Sequence, residues 1–143
     1  MTSTLTITKT FVDTNIFIAL NDEADSTHKK AVELKEKLRE LGTILYTSSD
    51  VIGETMTVLS KKLGKKKCNE FFDNYSKLGI REIFIDEYLH KETRDFFKRV
   101  KSKNTSFIDC SSVIAMRRSK IKVIFSFDED FKKMGVKLLS DVV

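Results

Sequence analysis

A chain of 143 residues is the size of one ordinary domain, and a hydrophobic share of 41% is enough to bury a core without staples, so a single domain over 1–143 is expected. With 33% charged residues beside that apolar content the chain is folded rather than disordered, and no apolar run approaches the roughly 20 residues that cross a bilayer. The net charge of +5 admits an anionic partner, while Cys68 and Cys110 match no metal-ligand spacing and no basic-then-apolar leader opens the chain, which makes the cytoplasm the expected compartment.

Short β-rich runs alternate with longer helical ones. The first strand is predicted over Thr4 to Val12, and after it "FVDTNIFIAL" sets Asp13, Thr14 and Asn15 between apolar runs. In "HKKAVELKEKLREL", His28 to Leu41, the residues Ala31, Leu34, Leu38 and Leu41 mark one helical face. A strand at Thr43–Thr47, helices at Asp50–Leu63 and Lys65–Leu78, and a strand at Arg81–Asp86 come next. Helices at Glu87–Ser102 and Ser106–Arg118, a strand at Lys122–Ser126 and a short one at Val136–Leu139 complete the order. The alternation implies an α/β fold: a three-layer α/β/α sandwich with a mostly parallel sheet of four or five strands. In such sheets ligands collect beyond the carboxyl ends of the strands, where the chain order reverses.

Acids stand at those strand ends. Asp13 ends the first strand, Glu54 lies one turn into the helix after the second, Asp109 is in the first turn of the Ser106 helix, and Asp128 and Asp130 follow the fourth strand. Each has an ordinary structural explanation: Asp13 and Asp128 as N-caps, Asp109 three residues after Ser106 as half of a capping box, Glu54 as a helix-surface carboxylate. The neighbourhoods point further. Phe107, Ile108, Val113, Ile114, Ala115 and Met116 make the Ser106 helix apolar almost all round, hence largely buried, so a carboxylate in its first turn needs a partner. Carboxylates gathered without a matching Arg or Lys repel one another unless a multivalent cation sits among them. Oxygen-only donors select Mg²⁺ or Mn²⁺, and the chemistry that follows is attack on phosphorus by a water the metal has acidified. On this reading Asp13 is a metal ligand, with Thr14 and Asn15 supporting it or touching phosphate.

Two basic clusters accompany the acids. "KKLGKKK" supplies Lys61, Lys62, Lys65, Lys66 and Lys67, and "RRSKIK" supplies Arg117 and Arg118 among others. Either cluster alone reads as a solvated helix end; flanking an acidic centre, both would hold phosphates. Of the aromatic residues, Tyr75 is the one expected to stack on bases, the rest being spaced like core. His28 and His90 are expected as surface or satisfied helix residues, and Cys110 as a small buried hydrophobe.

The order "FVDTN", "TSSDVIGETMTVL", "SFIDCSSVIAM", "IFSFDEDFKKMGV" resembles the PIN-domain nucleases, and among them the small single-domain toxins of VapC type, over nearly the whole chain from about Lys9 to Leu139. The resemblance implies a parallel sheet with helices on both faces and Mg²⁺- or Mn²⁺-dependent cleavage of single-stranded or looped RNA. It also implies Asp13, Glu54 and Asp109 as principal ligands and Asp128 as an outer one, with Asp130 in reserve and Thr14, Asn15 and Ser126 as small polar groups near the metals. A homodimer and a small antitoxin that inserts a segment near the active site are implied as well. The same acids serve PIN domains of RNA maturation, and a non-catalytic RNA- or protein-binding module of the same fold stays open beside the toxin.

Overall fold

The computed structural model describes residues 7–143. Among them, strands β1 (Lys9–Val12), β2 (Ile44–Ser48), β3 (Arg81–Ile83), β4 (Val123–Phe125) and β5 (Lys137–Leu138) form one sheet in the order β3-β2-β1-β4-β5. Every pairing is parallel, with Phe11 opposite Tyr46 on one side and Ile124 on the other. Parallel neighbours need long crossovers. Helices α1 (Thr14–Asn21), α2 (His28–Leu41), α3 (Ser49–Leu63), α4 (Lys65–Tyr75), α5 (Glu87–Arg99) and α6 (Phe107–Arg118) supply them. The chain builds from β1 outward through β2 to β3, then crosses to start β4 on the other flank of β1. That reversal opens a crevice beyond the carboxyl ends of β1 and β4.

Local chemistry fixes the element ends. Gly42, at φ +65°, closes α2 in the left-handed conformation that glycine adopts at little cost, with its N–H on the Arg39 carbonyl. Ser48 caps α3 by accepting the Val51 N–H at 3.2 Å. The third predicted strand, Arg81 to Asp86, stops at Ile83 because the next groups have other partners: Ile85 N–H donates to Ser49 Oγ at 2.8 Å, and Asp86 caps α5 through the Leu89 N–H at 2.9 Å. Helix α5 ends at Arg99 rather than Ser102, and α4 gives way after Tyr75 to a 3₁₀ turn, Ser76–Leu78. β1 begins at Lys9; of the expected Thr4–Val12 strand, Ile7 and Thr8 are not extended ladder and residues 4–6 lie outside the described residues.

The core lies on both faces of the sheet. Phe11, Ile124 and Leu138 from the strands meet Ile16, Leu34, Leu59, Met116 and Phe131 from the covering helices and turns, all at most 2% exposed. Burial of side chains this size stabilises by about 1.5–3 kcal/mol each. Helix α6 is buried from Cys110 through Met116, as its nearly all-apolar wheel requires, and this presses its first turn against the sheet's carboxyl edge. Among the described residues no helix is long and apolar enough to cross a membrane.

Candidate metal centre

Asp13 is held by its backbone before its side chain does anything. Its N–H donates to the Phe125 carbonyl at 3.1 Å, which extends the β1–β4 ladder by one bond and leaves the residue 5% exposed. Although Asp13 occupies the N-cap position of α1, its carboxylate makes no capping hydrogen bond. It accepts instead from the Ser126 hydroxyl at 2.8 Å. Ser126 is buried and already accepts two donors, Asn15 Nδ2 at 3.2 Å and Asp128 N–H at 3.1 Å, so its single proton is directed at Asp13. Asn15 is fixed in turn by the Phe127 N–H on its Oδ1 at 3.4 Å. The polar trio that interrupts the apolar run is thus tied to the end of β4.

Asp13, Glu54, Asp109 and Asp128 all line one open hollow, with Thr14 and Asn15 beside them. Glu54 and Val58, four residues apart, give it one wall from a single face of α3. Asp109 is half-buried in the first turn of α6 and completes the capping box: Ser106 N–H donates to its Oδ2, and its own N–H to Ser106 Oγ, both at 3.0 Å. Asp128 caps the 3₁₀ turn Glu129–Met134 through the Asp130 N–H at 3.0 Å. Capping and lining the hollow are compatible, because each cap takes one carboxylate oxygen.

The electrostatics of the hollow are one-signed. Burial pushes the Asp13 carboxyl up from 3.8 to about 7, the Ser126 hydrogen bond opposes that rise, and the charges of Asp109 and Glu54 add to it. Asp109 is raised as well, first by burial, then by the charges of Asp128 and Glu54. Among the described residues no lysine or arginine pairs with any of the four acids. Nor, among those residues, do three acid, imidazole or thiol side chains stand close enough to make a ready cage for a metal ion. That combination fits a hydrated hard divalent cation, which needs only one or two direct carboxylates and reaches the others through water, better than a fully protein-ligated ion. Oxygen-only donors and uncompensated negative charge suit Mg²⁺ or Mn²⁺ and offer nothing to softer metals. Thr14 Oγ1 is buried at the hollow without a hydrogen-bond partner, a donor at hand for an anionic oxygen.

Other residues singled out from the sequence fall in several places. Asp130 does not line the hollow; its carboxylate pairs with Lys133 at 3.3 Å. Lys62 reaches the hollow's outer wall, where it bridges Asp22 at 3.2 Å and Asp25 at 3.4 Å. Lys61, Lys65, Lys66 and Lys67 are exposed around the α3–α4 turn beside it. Arg117 and Arg118 do not flank the acids. They end α6, and the nine helical steps from Asp109 to Arg118 span roughly 13 Å. Tyr75 is not free to stack on a base: its hydroxyl donates to Glu82 at 2.9 Å, and its ring packs on Phe72, Phe17 and Phe71. His28 Nδ1 sits 2.7 Å from the Ala19 carbonyl, His90 packs on Phe107, and Cys110 is fully buried.

Sequence reasoning missed the wall formed by Asp25 and Thr27. In that loop Asp25 Oδ1 accepts both the backbone N–H of Thr27 at 2.8 Å and its hydroxyl at 2.6 Å, while Asp22 Oδ1 accepts the Ala24 N–H at 3.1 Å. The available signal was "NDEADST", an acid-rich run of turn formers between two helices. A second, more apolar cleft of about 490 Å³ between α1, α2 and α4 holds none of the four acids.

Comparisons with known proteins agree with the fold. The PIN domain family model matches residues 10–137. The 23S rRNA-specific endonuclease VapC20 of Mycobacterium tuberculosis (strain ATCC 25618 / H37Rv) is 27% identical over 125 residues, covering 87% of this chain and 93% of that protein. The crystal structure of M. tuberculosis VapC20, described as a sarcin–ricin loop cleaving toxin, matches with a TM-score of 0.78 at 26% identity, over 89% of this chain and 95% of that one. FitAcB from Neisseria gonorrhoeae, at a TM-score of 0.64 and 16% identity over 90% of this chain and 95% of that one, shares the fold.

Proposed function

The chain belongs to the PIN domain family, and from that premise we propose that it is a divalent-metal-dependent endoribonuclease, the toxin of a toxin–antitoxin pair, with Asp13, Glu54, Asp109 and Asp128 as its metal-holding acids. The observation that carries this reading is the single hollow lined by those four carboxylates with no cation from the described residues to neutralise them. A divalent ion bound there supplies the positive charge that stabilises a phosphodiester's transition state and makes water a competent nucleophile. Asp128 is preferred over Asp130 as the fourth acid, since Asp130 is engaged by Lys133.

The chain's own groups do the positioning. Ser126, oriented by Asn15 and the Asp128 N–H, holds the Asp13 carboxylate in one rotamer. The Ser106 capping box holds Asp109. Thr14 offers its unpartnered hydroxyl to an anionic oxygen, and the start of α1 lends its dipole to the same side. Lys61, Lys65 and Lys66, exposed around the α3–α4 turn, are the proposed contacts for RNA phosphates beyond the hollow.

Looped RNA is the proposed substrate class, supported by the relative named for 23S rRNA and for sarcin–ricin loop cleavage. Mg²⁺ or Mn²⁺ is the proposed ion. A homodimer and a small antitoxin partner are proposed from the family resemblance. The test is cleavage of labelled RNA with Mg²⁺ or Mn²⁺ and its arrest by EDTA; cleavage that survives EDTA defeats the mechanism, and a protein that binds RNA in the presence of metal without cutting it is the non-catalytic alternative.

A further inference from the structure

The "RRSKIK" cluster is left without a role by the acid hollow. It gathers at the amino-terminal edge of the sheet, the edge opposite the carboxylates: Arg117 and Arg118 end α6, Lys122 precedes β4, and Lys137 opens β5. Two backbone bonds and one from a lysine side chain hold these segments together. Ile121 N–H donates to the Met116 carbonyl at 2.8 Å, Lys137 N–H to the Lys122 carbonyl at 3.1 Å, and Lys9 Nζ from the start of β1 to the Ser119 carbonyl at 3.0 Å. Arg117, Lys120 and Lys122 rim a hollow of about 370 Å³ with Met116, Ile121 and Val136 at its floor.

Helix C-termini favour cations, which accounts for Arg117 and Arg118. Arg118 is further accounted for by Glu92, and Arg117 by the Phe96 ring at 4.7 Å and the Met134 carbonyl at 3.3 Å. The dipole does not account for Lys122 and Lys137, which belong to strand ends. Lys120, Lys122 and Lys137 are exposed, and among the described residues none of the three meets a carboxylate. Three uncompensated like charges held around one edge by backbone hydrogen bonds repel one another, and a chain of phosphates relieves that repulsion.

We propose that this edge is a phosphate-binding exosite for the RNA. Resting on the ribonuclease reading above, it holds sugar–phosphate backbone remote from the scissile bond, adding affinity and not sequence preference. The distance along α6 means that an RNA occupying both sites must run several nucleotides past the cut or fold back as a loop.

The experiment compares the parent with a Lys120→Gln, Lys122→Gln, Lys137→Gln variant. Anisotropy titrations in EDTA across a salt series use a stem-loop RNA of about 30 nucleotides and a single strand of about 3, which spans roughly 10 Å when stacked, less than the distance along α6 between the two sites. Each lysine that neutralises a phosphate adds about 0.7–0.9 to the slope of log K against log salt, so removing all three should lower the stem-loop slope by about 2. Binding of the short strand, and its cleavage once metal is supplied, should match the parent. Equal stem-loop slopes in parent and variant overturn the exosite, as does an unchanged slope together with lost binding of poly-glutamate, which assigns the edge to an acidic protein. If the triple variant folds poorly, Lys→Arg at the same positions must restore the parent slope, and failure to do so also overturns it. Should the parent cut neither RNA, the ribonuclease reading falls and the exosite with it; cutting with equal slopes sinks the exosite alone.

Discussion

Replacing Asp13 by asparagine removes one buried negative charge and leaves the outline of the side chain nearly unchanged. In the metal-free protein the folded-state value of about 7 against 3.8 means that the native state binds more protons than the unfolded one between those two pH values. The Asp13 contribution to the stability of the metal-free parent therefore falls as pH rises from about 4 to about 7 and stays low above that. At 1.36 kcal/mol per pH unit the difference amounts to about 4 kcal/mol. The amide that replaces the carboxylate still offers Ser126 a carbonyl oxygen, so the hydrogen bond weakens by about 1 kcal/mol and is not lost. Asp13→Asn should accordingly be more stable than the parent by about 3 kcal/mol at pH 8 in EDTA, and close to it at pH 4. In saturating Mg²⁺ or Mn²⁺ the order should narrow or reverse, because only the parent gains stability by binding the ion, and RNA cleavage should vanish in the variant. Urea denaturation at pH 4 and pH 8, with EDTA and with metal, reads all of this. Equal pH slopes in parent and variant would refute the buried-charge argument, and retained cleavage would refute the metal-ligand assignment.

Ser126→Ala removes the hydroxyl that holds Asp13, so metal affinity or the cleavage rate should drop about 10- to 100-fold with the fold intact, measured by metal titration and kcat. Lys65→Ala with Lys66→Ala should weaken RNA binding and lower its salt slope by about 1–2; an unchanged slope would mean these lysines are merely solvated. Ser106→Ala removes the hydroxyl half of the capping box, leaving the backbone N–H of residue 106 on Asp109 Oδ2, and should cost about 1 kcal/mol in a urea melt. Lys62→Ala frees Asp22 and Asp25 and should speed hydrogen exchange in residues 22–27, with no change there arguing that the loop is held by its own turns.

Much of the fold was legible because periodicity and punctuation are local. The α2 boundaries, His28 to Leu41, follow from one apolar stripe and the glycine after it, and the short β5 and buried α6 follow from composition alone. The four acids were legible as a set because α/β topology sends every strand's carboxyl end to one edge. Where local pattern erred, a partner from another element decided: Ser49 ends β3 by taking the Ile85 N–H, and Glu82 takes the Tyr75 hydroxyl.

The sequence by itself determined the α/β alternation and the strand-end carboxylates, since each is a property of residue type and spacing along the chain. The tertiary structure alone decided which edge each charge faces. It separated Asp128 from Asp130, turned Lys62 toward Asp22 and Asp25, and carried Arg117 and Arg118 to the far end of α6 from Asp109. The physical reason is that a rigid helix of 12 residues has two ends, and spacing in sequence does not say which end meets the sheet's carboxyl edge until the strands are paired.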